Sequence, residues 1–158
     1  MSDTDAADRT PAESAESADR HAVIDVLNRY AEALDHRDWE LLDEVFLADA
    51  TADYGAGALE GRDAIVGSIT DLLGGCGPSQ HLLGNFQVSI EGEHARSVCR
   101  IRVFHQGLGA KGSLEPFECF GEYHDELRRG LDGWRIARRE MITTITRGDF
   151  GVLGPAPE

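Results

Sequence analysis

The sequence predicts an α+β fold, and three features carry the prediction. Apolar residues recur at helical spacing through the first half, they alternate with period two through the second, and a glycine cluster, Gly74, Gly75 and Gly77, separates the halves. Helices first and a meander second mean α+β. At 158 residues the chain has the length of one domain, and 41% hydrophobic with 28% charged residues is an ordinary globular balance.

The elements follow in order. Residues 1–18 are rich in Asp, Glu, Ser and Ala and read as a disordered acidic leader. From Asp19, taken as an N-cap, Val23, Leu27, Tyr30 and Leu34 recur at helical spacing with Ile24 and Ala31 beside them. Asp35 falls at the edge of that apolar arc, so a carboxylate borders the core. A short second helix is expected over WELLDEVF, then a brief strand, ATADYG, with Ala50, Ala52 and Tyr54 on one face. The segment GRDAIVGSITDLLGG gives a third helix, stopped by its glycines.

Beyond Pro78 three or four antiparallel strands are expected, separated by glycine-containing turns. In the longest, Ala95, Ser97, Cys99, Ile101, Val103 and His105 share one face, with Arg96, Arg100 and Arg102 opposite. Parity also groups Phe117, Cys119, Gly121 and Tyr123. The domain is thus read as 19–152, with 153–158 a flexible tail.

With 29 acidic against 15 basic side chains the formal charge is −14, a field that repels nucleic-acid phosphate and anionic lipid and suits a neutral or apolar ligand. No stretch approaches the ~20 apolar residues that span a bilayer, and the N-terminus lacks a secretory pattern; a cytoplasmic location is expected. Cys76, Cys99 and Cys119 are far apart, without a C-x-x-C pair, and read as reduced, mostly buried small residues. Motifs for nucleotide, zinc-protease and hydrolase-elbow chemistry are missing.

Three ionisable side chains, Asp35, His81 and His105, fall at inward or edge positions, and Tyr30, Tyr54 and Tyr123 also read inward. Should His81 meet Asp35, the carboxylate would orient the imidazole and stabilise its charged form, which suits proton removal near neutral pH. Tyrosine hydroxyls could then polarise a carbonyl as enolate charge develops. Each also has a structural reading: a hydrogen-bonded core histidine, a packing tyrosine, an aspartate that ends its helix. His21, His36, His94 and His124 read as solvent-facing or turn residues.

Over residues 20–150 the chain resembles the SnoaL-like branch of the nuclear-transport-factor-2-like superfamily, and within it scytalone dehydratase and the bacterial bile-acid dehydratases. The resemblance rests on RYAEALDHRDWELLDEVF, ADYG, LEGRDAIV, QHLLGN, IRVFHQG and DGWRIARRE. It implies a cone-shaped barrel in which a curved mixed or antiparallel sheet wraps around about three N-terminal helices. It implies a site of Asp35, Tyr54, His81 and His105, joined by Tyr30 as in the bile-acid enzymes. Tyr123, Asn85, Phe86, Ile101, Val103 and Cys119 are then the candidates for contacting substrate. The chain departs from the scytalone enzyme where that protein has a serine and an asparagine, approximately at Gly121 and Tyr123.

The family further implies no metal, no organic cofactor and a homodimer or homotrimer formed through the outer face of the sheet. The implied activity is a cofactor-independent dehydratase for a hydrophobic, polycyclic β-hydroxy-carbonyl compound, polyketide- or steroid-like. A polyketide cyclase or ketosteroid-type isomerase would use the same constellation, and a non-catalytic small-molecule binder would leave it unused.

Overall fold

The computed structural model describes residues 10–155, and two α-helices pack against a six-stranded sheet. Helix α1 spans Pro11–His36 and α2 Arg62–Leu73; the strands are β1 (Phe46–Asp53), β2 (Ala58–Glu60), β3 (Cys76–Glu91), β4 (His94–Gly107), β5 (Phe117–Gly130) and β6 (Gly133–Arg147). Their order across the sheet is β2-β1-β6-β5-β4-β3. Strands β3 to β6 form the expected antiparallel meander, and β1 joins it parallel to β6, which makes the sheet mixed. No helix among the described residues is long and apolar enough to cross a membrane.

Two expected boundaries are corrected. Helix α1 begins at Pro11, not after Asp19: Thr10 caps it, accepting from the Glu13 N–H while Glu13 accepts from the Thr10 N–H at 2.8 Å, and proline occupies the first turn. The leader is therefore helical from Pro11 to Ala18, and its first nine residues lie outside the described ones. Asp19 instead sits inside the helix, where its carboxylate accepts from Arg129 at 2.8 Å and from the Trp134 indole at 3.1 Å. At the other end Leu153 is buried, the Gly154 N–H donates to Leu72 O and the Gly75 N–H to Gly154 O, so the expected tail is docked there; residues 156–158 lie outside the described set.

The expected second helix is a 3-10 turn over Glu40–Glu44, after which Phe46 already belongs to β1. Two α-helices thus stand where about three were expected. Strand β3 starts at Cys76, within the presumed loop, and β2 was not foreseen.

The helices and the inner face of the sheet share one core, which holds Val23, Leu27, Tyr30, Leu34, Phe46, Ile65, Ile69, Ile101, Val103, Leu127 and Ile136. Alternation in β4 and β5 is as the sequence predicts: Ala95, Ser97, Cys99, Ile101, Val103 and His105 are all buried, and Phe117, Cys119, Gly121 and Tyr123 are buried together. All three cysteines are free and buried. Arg100 and Arg102 face outward, where they pair with Glu122 and Glu118 of β5.

Candidate active site

The end of α1 and the start of β3 bring the leading candidates together. Asp35 sits in the last turn of α1, and His81 is the sixth residue of β3. His81 Nδ1 lies 2.6 Å from Asp35 Oδ1, and the His81 backbone N–H donates to Oδ2 at 2.8 Å. The Ser79 hydroxyl donates to Oδ1 at 3.1 Å. Burial alone would raise the Asp35 carboxyl, but the hydrogen bonds from His81 and Ser79, with the His81 charge, outweigh it and hold the group below the usual carboxylate range. An ionised carboxylate only accepts, so the imidazole proton facing it resides on Nδ1 and the Nε2 lone pair is left for chemistry.

His105 comes from the neighbouring strand, opposite Ser79 in the β3–β4 register. Its ring meets that of His81 edge-on, 5.5 Å between centroids, and stacks on Phe117 at 6.1 Å. Its Nδ1 is buried without a protein partner. Burial first, then the positive charges of His81 and Arg37, pull its pKa down to about 4, so at neutral pH it is an uncharged imidazole.

That shift has a consequence for stability. Below the unfolded value of about 6.5 the unfolded chain binds a proton that the folded chain refuses, so stability should fall as pH drops from 6.5 towards 4 and level off beneath. The full effect is up to about 3 kcal/mol. Urea unfolding across this range should show the decline, and His105→Asn should flatten it; an unchanged slope in the variant would discount the shielded imidazole as its source.

The tyrosines form a second cluster one to two turns earlier on α1. The Tyr30 hydroxyl donates to the Tyr54 hydroxyl at 3.2 Å, and the Tyr30 ring meets Tyr123 edge-on at 5.6 Å. Burial pushes the Tyr54 and Tyr123 phenols well above their usual values, so both stay protonated. Arg139 packs against both Tyr30 and Tyr123, its Cζ 4.1 Å and 4.0 Å from the two ring centroids. Asp125 grips this guanidinium through two bonds of 2.7 and 2.8 Å, and the pair is fully enclosed.

Sequence reasoning missed Arg139, Asp125, Ser79 and Arg37. Asp125 continues the inward parity of Tyr123, a usable signal. Arg139 was hidden because the register skips Ala137, where Leu127 pairs with Ile136 and Glu126 with Arg138. That bulge turns the next odd-numbered residues inward.

Of the residues expected to contact substrate, Ile101, Val103, Cys119 and Tyr123 are buried on the inner face, and Phe86 is half-buried against the core. Asn85 is a correction: it is exposed, with φ 52, at a register break between Gly84 and Gln87. Such a left-handed bulge position suits asparagine for backbone reasons and reverses the facing of the strand. At Gly121 a Cβ would stand 2.1 Å from the Ile142 carbonyl oxygen, so no hydroxyl-bearing side chain fits where the scytalone enzyme has its serine. Among the surface hollows, one of about 430 Å³ lies elsewhere, beside Ser89, Arg96, Glu126 and Arg138, and includes neither Asp35 nor His81.

This helix-and-sheet architecture agrees with that of a SnoaL-like domain. The family model for that domain matches residues 15–140, and the chain belongs to this family, within the nuclear-transport-factor-2-like fold. An uncharacterized protein of Mycobacterium tuberculosis is 37% identical over 134 residues, covering 84% of this chain and 90% of its own length. A solved structure described as a putative aromatic ring hydroxylase from Novosphingobium aromaticivorans superposes with a TM-score of 0.77 at 26% identity, covering 91% of this chain and 99% of that one. A putative scytalone dehydratase from the same species has a TM-score of 0.72 at 19% identity, covering 89% and 93%. The last likeness is one of fold.

Proposed function

We propose that the protein is a dehydratase that removes water from a hydrophobic, polycyclic β-hydroxy-carbonyl compound by way of an enolate, with no organic cofactor in the step. The observation that carries this reading is the contact of 2.6 Å between His81 Nδ1 and an ionised Asp35, which leaves Nε2 as a base.

In the proposed step His81 Nε2 takes the proton α to the carbonyl, and Asp35 balances the imidazolium that forms. The carbonyl oxygen gains charge and is held by the Tyr54 hydroxyl, which stays protonated, while Tyr30, giving its one hydroxyl hydrogen to Tyr54, reinforces that donor. Collapse of the enolate forms the carbon–carbon double bond and expels the β-hydroxyl. The imidazolium returns its proton to the leaving oxygen, so one water departs and His81 is restored. His105, uncharged at neutral pH, assists the departing hydroxyl by hydrogen bonding rather than by giving up a proton. Ile101, Val103, Phe86 and Cys119 supply the apolar surface for the carbon skeleton.

The test is product analysis with a panel of bicyclic and polycyclic β-hydroxy ketones, run in D₂O. Loss of one water with a matching α-proton exchange supports dehydration. A product that has lost no water, heavier only by the deuterium it takes up, would transfer the reading to an isomerase or cyclase that shares the enolate. Neither exchange nor product across the panel would leave a non-catalytic binder.

A further inference from the structure

We infer that Arg37 and Ser79 form a proton-directing relay that fixes Asp35 as an acceptor and His81 with its ring proton on Nδ1. The inference rests on the reading of His81 as the base and adds two positioning residues to it.

Arg37 stands just past α1 with φ 58 and ψ 30, a left-handed conformation that glycine adopts with less strain. Its backbone closes the helix, the Asp38 N–H reaching Ala33 O at 2.9 Å. Strain kept at a side-chain-bearing residue invites the question of what that side chain does. The Arg37 guanidinium turns back and donates to the carbonyl of Leu34, to Gly77 O at 2.6 Å and to Ser79 Oγ at 2.8 Å. One residue therefore ties the end of the helix that carries Asp35 to the start of the strand that carries His81.

The direction of the protons follows from the donors available. A guanidinium has no acceptor, so Ser79 Oγ must accept from it, and the single hydroxyl hydrogen is free to go to Asp35 Oδ1, 3.1 Å away. Oδ2 already accepts from the His81 backbone. With donors on both oxygens, a proton on the carboxyl would displace one of them, and the arrangement that satisfies every group puts the remaining proton on His81 Nδ1. Nε2 is then unprotonated and available.

The test combines ¹⁵N NMR of the His81 ring in the full chain with pH profiles on whichever β-hydroxy ketone of the panel is turned over. Wild type should show the Nδ1–H form at pH 7. Ser79→Ala should give a mixture of tautomers, lower kcat about tenfold with little change in KM, and move the acid limb of the profile to higher pH, because Asp35 loses a donor. Ser79→Thr should restore all three readouts. Arg37→Gly serves as the second variant: glycine keeps the left-handed cap, so its loss of the Nδ1–H preference would not be a folding defect. An unaltered tautomer and pH profile in folded Ser79→Ala or Arg37→Gly would overturn the relay. Wild type with the Nδ1–H signal but no turnover on any ketone would instead overturn the dehydratase reading and leave the relay standing.

Discussion

Replacing His81 with alanine should lower turnover by about 10² to 10⁴ while leaving the circular dichroism of the domain intact. The size follows from what Nε2 is asked to do. The base and the returning acid are one imidazole, so its removal abolishes both proton transfers. The informative companion is His81→Asn. An asparagine amide N–H can replace Nδ1–H as the donor to Asp35 Oδ1, so the carboxylate keeps its partner, but nothing remains where Nε2 stood. Both variants should therefore be equally inactive, although asparagine should be the more stable. Steady-state rates and urea midpoints on the same preparations check this. If His81→Asn kept more than about a tenth of the activity, His81 would be an orienting group and not the base. Asp35→Asn should also be slow, and combining it with His81→Ala should add almost nothing, because residues that act as one unit do not lose activity additively.

The inward or edge positions of Asp35 and His105 were legible because both residues sit on regular elements, whereas the meeting of Asp35 with His81, 46 residues apart, entered only as an implication of the family resemblance. Helical spacing put Asp35 at the rim of the apolar arc of α1, and strand alternation made His105 inward. The outline of the fold was legible for the same reason, since β4 and β5 alternate without interruption on their buried sides. What escaped were features without a period. The first turns of α1, from Pro11 to Ala18, bury almost no side chains, so no apolar rhythm marks them; only the capping signal of Thr10 and Glu13 did, and composition masked it. Asn85 was misplaced, and Arg139 missed, at bulges, where one extra residue reverses the facing of everything beyond it. Ser79 and Arg37 depend on a contact between segments 42 residues apart, for which local pattern has no signal.

The other large effect expected is on stability. Substituting Asp125 with alanine should destabilise the protein by about 3–5 kcal/mol, a large part of the roughly 5–15 kcal/mol that a domain has. Arg139 is 1% exposed and its charge is compensated by the Asp125 carboxylate. Burial works against that charge, but Asp125 outweighs it and holds the guanidinium firmly protonated. Without Asp125 the cation cannot shed its proton, and the rings of Tyr30, Tyr123 and Phe46 remain against it without a counter-charge. The double variant Asp125→Leu with Arg139→Met should recover most of the loss, since the stranded charge, and not the missing contact, is what costs. Yet the double variant removes the cation that packs against the rings of Tyr30 and Tyr123, and with it the setting of the Tyr30–Tyr54 hydroxyl pair. Its expected signature is recovered stability with lowered kcat on a reactive ketone. Denaturation midpoints and turnover measured together separate the two roles. A loss below about 1 kcal/mol in Asp125→Ala would mean that water reaches Arg139 and that the tyrosine cluster is not built around a sealed ion pair.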